Sequence, residues 1–417
     1  MVVDRCPSSR FFRSATLMSF PSTPKLFHVE ATPTCFDVSD HGTWAVGIDA
    51  ASSKTGDTLV VGAGSQQYYM PNFGPVHALS WTESLVTATA GPSEVLVEDD
   101  ESRLSEEPSS GADANRNGPS SIESHSFVAD LATIGEQSLQ LTRFETGDAA
   151  GGCRANTILC VDVPRRRPTH VMASTGMDYA SCPTLTAAWR DGTAARLDVV
   201  TQQWHDEPRS INGMRHSPPM AALTSARLWD DRAVTVCAFH NIVVVLDERT
   251  APKPGQFQSV ALEWSWDACD PITSVEASSV GPSVPWLLVG TQLGAVAMFD
   301  VRRPGAVCTA TPRTTLRSDT AGTGLWTASS VHAIARVAST GGAMSTSLVQ
   351  TTTGEVHFVE GNKEGNGELS SQIVKTAADC PRWAGVAASA AAGLAYASGV
   401  AQLWTLNTCG DLTCYDW

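Results

Sequence analysis

The sequence predicts an all-β fold in which short strands recur in similar units along the chain. Its apolar segments are short and alternate with polar residues, which is the pattern of half-buried strands. Charged residues make up only 17% of the 417 residues, a balance that suits short strands and tight turns better than long surface helices. Because no apolar run approaches the roughly 18–20 residues that span a bilayer, we expect no membrane insertion.

The clearest repeat is a strand-like run that ends in an acid or an amide. Before each such run lies another apolar stretch, and turn-prone residues such as Asp191-Gly192, Gln292-Leu293-Gly294 and Thr353-Gly354 separate the two. Since Gly and Asp tolerate the positive φ of hairpin turns, each pair predicts a β-hairpin. The six runs are EVLVE ending at Glu98, AARLD at Asp198, VVVLD at Asp247, AVAMFD at Asp300, EVHFVE at Glu360 and AQLWTLN at Asn407.

A seventh unit is predicted at residues 34–70, which keep the strand–turn–strand order without the terminal acid. The nearly identical segments 76–79 (VHAL) and 331–334 (VHAI) each precede a hairpin, and we expect both to form the same inner strand of different units. The Ala-rich segment 384–397 has high helix propensity, but its glycines and its place in the repeat favour a strand.

Residues 74–99 (GPVHALSWTESLVTATAGPSEVLVED) and 284–304 (VPWLLVGTQLGAVAMFDVRRP) resemble the WD-repeat (WD-40) family, with Phe299-Asp300 in place of the name-giving dipeptide. The resemblance implies a seven-bladed β-propeller of four-stranded antiparallel blades, formed as a single domain by residues 26–417. The repeats are degenerate. No unit has a true Trp-Asp ending or a Gly-His opening, and only Asp191 matches the family's turn aspartate, so we expect packing rather than a buried polar network to hold the blades.

Two segments outside the repeats are expected to be disordered. Residues 1–25 form a polar N-terminal tail, for which a weak organelle-targeting peptide is the alternative. Residues 98–125 carry eight acids and two bases with few large apolar side chains, so this insertion cannot bury enough area to order itself. We expect it to leave the second blade, whose outer strand resumes within 126–163. Its serines, in a context that acid-directed kinases favour, are Ser102, Ser105, Ser109 and Ser110.

Closure of the ring has two candidate solutions. Residues 26–31 (LFHVEA) could pair with the last blade, or residues 411–417 (DLTCYDW) could complete that blade alone. The sequence leaves both open.

Charge and cysteine content indicate the class of partner and the compartment. A net charge of −15 argues against direct nucleic-acid binding, which requires clustered Lys and Arg. The local exception is the triplet Arg165, Arg166 and Arg167 between two prolines, which we interpret as a candidate docking loop or, alternatively, a solvated loop. Eleven cysteines without a CxxC pair predict a reducing environment, hence an intracellular protein, cytoplasmic or nuclear.

No catalytic motif is present: the sequence has no phosphate-binding loop, no GxSxG nucleophile elbow and no HExxH. We therefore expect neither a cofactor nor enzymatic activity. The recurrent histidines His77 and His332 are candidate partner-binding residues, and a metal role in the channel is their alternative.

These observations predict a non-enzymatic interaction scaffold, a subunit or adaptor of a multiprotein complex whose partners are other proteins. The resemblance implies roles in trafficking, nuclear pores, peroxisomal import or ubiquitin ligases, and the residues do not separate them. Two alternatives stay open: a propeller enzyme with a channel-bound metal, and a reader of short peptide motifs at the channel mouth.

Overall fold

The protein is described by a computed structural model. It covers residues 24–63, 66–70, 74–82, 128–146, 153–174, 184–205, 207–211, 219–228, 232–247, 256–277, 286–300, 313–315, 317–319, 326–337, 346–361, 369–375, 391–397 and 399–416. Every regular element in these ranges is a β-strand. No helix with the length and hydropathy of a membrane span was found in the described residues.

The strands form seven antiparallel blades arranged in a ring, which confirms the predicted seven-bladed β-propeller. Strand β1 (Lys25–His28) precedes the first blade. Blade 1 consists of β2 (Pro33–Val38), β3 (Trp44–Ile48), β4 (Leu59–Ala63) and β5 (Gln66–Tyr69). Blade 2 consists of β6 (Val76–Thr82), β7 (Val128–Gly135), β8 (Ser138–Thr146) and β9 (Cys153–Asp162). Blade 3 consists of β10 (His170–Ser174), β11 (Thr184–Ala188), β12 (Thr193–Asp198) and β13 (Gln203–Trp204), with β14 (Arg209–Ser210) also paired to β12.

The remaining blades repeat this order. Blade 4 consists of β15 (Met220–Leu228), β16 (Arg232–Phe239), β17 (Ile242–Asp247) and β18 (Ser259–Ser265). Blade 5 consists of β19 (Ile272–Ala277), β20 (Trp286–Thr291), β21 (Ala295–Asp300) and β22 (Arg313–Thr315), and a separate pair, β23 (Arg317–Asp319) and β24 (Trp326–Ala328), follows it. Blade 6 consists of β25 (Val331–Val337), β26 (Thr346–Thr351), β27 (Val356–Gly361) and β28 (Leu369–Lys375). Blade 7 consists of β29 (Ala391–Ala397), β30 (Gln402–Asn407), β31 (Asp411–Asp416) and β1.

The first strand of each blade is the innermost one, because it packs against the first strands of both neighbouring blades. His77 in β6 and His332 in β25 therefore lie on inner strands, as their shared tetrapeptide predicts. The Ala-rich segment supplies inner strand β29 rather than a helix, although residues 384–390 lie outside the described residues.

The ring closes through the N-terminal strand. β1 pairs antiparallel with β31, with Lys25 opposite Cys414 and His28 opposite Asp411. Both candidate segments are thus used, because β31 is the third strand of blade 7 and β1 is the fourth. One assignment is corrected: the run ending at Asn407 is the second strand of its blade, since the outer strand comes from the other end of the chain.

The place of the acidic segment in blade 2 differs from the prediction. The runs predicted at 85–90 and 94–98 lie outside the described residues, as do residues 98–125 and the N-terminal tail up to residue 23. The second, third and fourth strands of the blade all come from 128–162. The segment therefore joins the inner strand to the second strand, instead of preceding the outer strand alone.

Apolar side chains fill the space between each pair of adjacent blades. In the described residues a buried cluster lies at each blade-to-blade interface, such as Leu139 and Leu141 of blade 2 against Leu185 and Leu197 of blade 3. A single four-stranded blade cannot bury both its faces, and stacking around the ring solves that problem. Tryptophans take part in this packing: Trp189 and Trp404 are buried and Trp81 is half-buried, whereas Trp417 and the Trp286 side chain lie outside the described residues.

Candidate interaction surface

The ring has two faces, which the strand order distinguishes. Neighbouring strands run in opposite directions, so the start of each inner strand and the turn between second and third strands share one face. We call this the upper face; it includes the turn at Asp191-Gly192. The lower face carries the turns between first and second strands, such as Ser39–Thr43.

All five residues singled out in the sequence belong to the upper face. His77 and His332 are the second residues of their inner strands, and Arg165, Arg166 and Arg167 lie in the segment that joins the outer strand of blade 2 to the inner strand of blade 3. The arginine loop and His77 adjoin each other along the chain order of the blades, whereas His332 lies across the channel in blade 6. The structure thus groups four of the five.

The arginine loop is held from below by one buried tryptophan. The Nε1–H of Trp189, a residue only 2% exposed, donates to the carbonyl oxygens of Arg165 at 3.1 Å and Arg166 at 3.2 Å. The backbone N–H of Arg167 donates to the Glu136 carbonyl at 3.1 Å. Arg167 itself adopts φ 59°, a left-handed conformation that an L side chain disfavours. The loop therefore has one defined backbone conformation, maintained by contacts with both neighbouring blades.

Its side chains are presented to solvent with different partners. Arg165 pairs with the Asp191 carboxylate and also donates to the Thr193 hydroxyl oxygen at 3.3 Å. Burial opposes ionisation of Asp191, but hydrogen bonds from Arg165 and Thr193 outweigh it and lower the pKa of this carboxyl. The Arg167 Nε lies 3.5 Å from Glu136 Oε1, an exposed pair that contributes little.

The cations outnumber the acids at this place. Arg166 is exposed and makes no ion pair within the described part of the chain, and Arg190 in the adjacent turn is exposed as well. Of the three loop arginines, Arg165 pairs with Asp191 and Arg167 with Glu136, and Arg166 has no carboxylate partner among the described residues. In a chain of net charge −15 this is a local basic surface.

The histidines occupy a recurring β-bulge. The pairing of the inner strand with the second strand shifts register at the second residue in six blades, at Thr34, His77, Ala221, Thr273, His332 and Ala392. Several of these side chains reach the next inner strand: the Thr34 hydroxyl donates to the Val76 carbonyl at 2.8 Å, and Thr273 donates to that of Val331 at 2.7 Å.

His332 and His77 differ in environment despite their shared position. Burial lowers the pKa of His332, and a hydrogen bond to the backbone of Ala392 in blade 7 partly opposes that effect. His77 is exposed at the mouth of the channel. His170, which sequence reasoning missed, resembles His332: burial lowers its pKa, and it bonds the backbone of Ala221 in blade 4. Its position at the start of an inner strand could have revealed it.

The expectation that packing alone holds the blades is wrong for at least two of them. In blade 5 the Thr291 hydroxyl donates to Asp270 Oδ2 at 2.7 Å, and both residues are buried. In blade 7 Asp411 accepts from Asn407 Nδ2 at 3.0 Å and lies 2.8 Å from His28 Nδ1. Both networks lie at turns of the upper face.

A search of the described residues finds no group of three or more His, Cys, Asp and Glu side chains placed to hold a metal ion.

Comparison with solved structures shows the fold. The chain is similar to a chain of the mitotic checkpoint complex, with a TM-score of 0.56, 10% identity, and 100% of this chain and 97% of that chain covered. It is similar to BBS1N in complex with ARL6DN, with a TM-score of 0.54, 10% identity and 94% of each chain covered. It is also similar to 28% of Raptor from Chaetomium thermophilum, with a TM-score of 0.51, 13% identity and 94% of this chain covered. No protein-family model and no curated protein matches the sequence.

Proposed function

We propose that the chain is a non-enzymatic scaffold, a propeller subunit or adaptor of a multiprotein complex, and that its upper face docks an acidic segment of a partner protein. The observation that carries this proposal is the arginine loop. Its backbone is fixed by Trp189 and Glu136, and Arg166 projects from it without a counter-ion among the described residues.

The geometry of the loop suits recognition of carboxylates. Guanidinium groups present several N–H donors in a plane and bind carboxylates through paired hydrogen bonds. Because the backbone is already ordered, binding requires little further loss of loop entropy. Arg167 is a non-glycine residue at positive φ, and residues in such strained conformations cluster at functional sites. His77, exposed at the adjacent channel mouth, completes the surface that we assign to the partner.

The fold comparisons support the coarser part of the proposal. Two of the three similar structures are complexes by description, the mitotic checkpoint complex and BBS1N with ARL6DN. We also infer that the blades are degenerate WD repeats, because the inner strand of blade 2 and the hairpin of blade 5 keep the family's spacing. The type of assembly, whether trafficking, nuclear pore, peroxisomal import or ubiquitin ligase, is what the experiment identifies.

The test is quantitative affinity purification of the tagged full-length protein from its own cells, with Arg166→Glu as the variant. Arg166 is chosen because Arg165 and Arg167 already have carboxylate partners, Asp191 and Glu136, so that a change at either would also break an ion pair within the chain. Arg154→Glu is the matched control, since Arg154 is an exposed arginine on the outer strand β9.

We expect a reproducible stoichiometric set of proteins with wild type and Arg154→Glu, and loss of at least one member with Arg166→Glu. The partner that Arg166→Glu loses should also dissociate from the wild-type protein at lower salt than the other partners do, because its contact is electrostatic. Equal recovery with both variants would reject the arginine loop as the docking site. Absence of any stoichiometric partner, together with tightly bound calcium or zinc in the purified protein, would favour the metal-dependent enzyme instead.

A further inference from the structure

The lower face contains a cleft between blades 1 and 2 that the proposed docking surface does not use. Its volume is about 480 Å³, within the range of roughly 300–1,000 Å³ typical of ligand-binding pockets. One wall is the end of β2 and the turn after it, from Asp37 to His41; the other is Trp81 and Thr82 of β6 with Val128 and Ala129 of β7. It lies between two blades whose relative position is fixed by the buried cluster at their interface.

Asp37, a carboxylate with no cationic partner among the described residues, lines this cleft. Asp37 Oδ1 accepts the backbone N–H of Val38 at 2.8 Å, and Oδ2 accepts that of Trp81 at 2.8 Å. A carboxylate oxygen has further acceptor capacity after one such bond. Within the described residues no lysine, arginine or histidine approaches Asp37 within ion-pair distance. Burial raises the pKa of Asp37 to about 6, so the group is ionised at neutral pH.

A second acid in the same pair of blades, Asp130, does have a cationic partner. Asp130, fully buried in β7, receives two hydrogen bonds from Arg143, at 2.9 Å from Nε and 3.2 Å from Nη2. Buried charges are ordinarily compensated in this way, because an isolated one is costly. Among the described residues Asp37 has no such ion pair, and its two bonds come from backbone N–H groups, so its carboxylate can accept a cation from outside the chain.

An aromatic wall stands beside this carboxylate. The Trp81 ring is held edge-on to Phe144, with centroids 5.6 Å apart, and its Nε1–H donates to the Asp37 carbonyl at 3.3 Å. A fixed indole next to a carboxylate is complementary to a lysine or arginine side chain, which has an apolar stem and a charged head. Its alkyl stem packs on the ring, and its charged head meets the carboxylate and the π face.

We propose that the cleft binds a lysine or arginine side chain of a partner protein, with Asp37 as counter-ion and Trp81 as the apolar wall. This inference does not depend on the arginine loop, since the two sites lie on opposite faces and require opposite charge. With both sites occupied, the propeller would bind an acidic partner segment on its upper face and a basic partner segment on its lower face.

The experiment uses the full-length protein labelled with ¹³C at the aspartate carboxyl carbon. The probes are blocked pentapeptides of glycine with lysine, arginine or norleucine at the centre, titrated at about 0.15 M ionic strength. Norleucine keeps the alkyl stem of lysine and removes the charge. The Asp37 resonance is identified as the one lost in Asp37→Asn and shifted in Trp81→Phe.

We expect the lysine and arginine peptides to shift the Asp37 resonance saturably, and the norleucine peptide to bind at least tenfold more weakly. Trp81→Phe should weaken the cationic peptides severalfold, while Asp57→Asn, an aspartate of the same blade on the upper face, should bind as wild type. An unmoved Asp37 resonance, or an equal shift with norleucine, would overturn the proposal. Arg166→Glu should leave these titrations unchanged. The titrations therefore test the cleft alone, and the affinity purification tests the arginine loop alone.

Discussion

The indole of Trp44 lies across Gly62, its directly paired residue on the neighbouring strand of blade 1. A Cβ at position 62 would overlap the ring, so the absence of a side chain there is what allows Trp44 to be fully buried. Gly62 is part of strand β4 rather than of a turn. The pair shows how close packing in one blade can depend on a single missing methyl group.

Substitution Gly62→Ala should therefore destabilise the protein although alanine is the better strand residue. We expect a loss of about 1–3 kcal/mol in the free energy of unfolding, because the ring must move out of a filled core. Urea denaturation followed by tryptophan fluorescence measures it. Gly74→Ala is the control: no atom lies within 4 Å of its Cβ position, so its effect should stay within about 0.5 kcal/mol.

Ring closure gives a second prediction. Phe27 of β1 packs between Trp404 of blade 7 and Trp44 of blade 1, with centroid distances of 5.7 Å and 6.0 Å. Phe27→Ala should cost about 2–4 kcal/mol, near the lower part of the range for buried phenylalanines because the residue is half-buried. Leu26→Ala on the same strand should have almost no effect, since Leu26 is 56% exposed. Equal effects of the two variants would show that the strand does not close the ring by packing.

The hairpins were predictable because their signals are local. The turn at Gly192 has φ 79°, and its N–H donates to the Trp189 carbonyl at 3.0 Å, so the Asp191-Gly192 signal and the geometry agree. Asp198 explains one of the terminal acids: its Oδ1 accepts the N–H groups of Val200 and Thr201 and caps the turn. Such capping can be inferred from residues close in sequence.

Strand order was less predictable because pairing partners are distant in sequence. An alternating run shows that a strand is plausible, but not which neighbour it pairs with. For this reason the sequence places the acidic segment after the third strand of blade 2, two positions too late, and leaves the closing of blade 7 by β1 open. The arginine loop was visible as a charge triplet, whereas the Asp37–Trp81 cleft joins residues 44 positions apart and had no sequence signal.

The ion pair of Asp130 and Arg143 gives a third prediction. Arg143→Met removes two hydrogen bonds and a positive charge from the buried Asp130 carboxylate, and we expect a loss of about 3–5 kcal/mol in the free energy of unfolding. The double variant Asp130→Leu with Arg143→Met removes both charges and should recover most of that loss. Urea denaturation of both variants tests this. A double variant no more stable than Arg143→Met would show that the arginine acts through other contacts.

Asp37 predicts a distinctive pH dependence of stability. Burial raises its pKa in the folded protein to about 6, above the ordinary value of 3.8. Between these two pH values the Asp37 carboxyl has lost its proton in the unfolded chain but keeps it in the native protein. The contribution of Asp37 to the free energy of unfolding therefore falls as pH rises from about 4 to 6 and is constant at higher pH. Asp37→Asn lacks this titration, and its free energy of unfolding relative to wild type should rise across that interval. Urea denaturation between pH 4 and 8 measures this difference, and a curve for Asp37→Asn parallel to that of wild type would mean that Asp37 has an ordinary pKa.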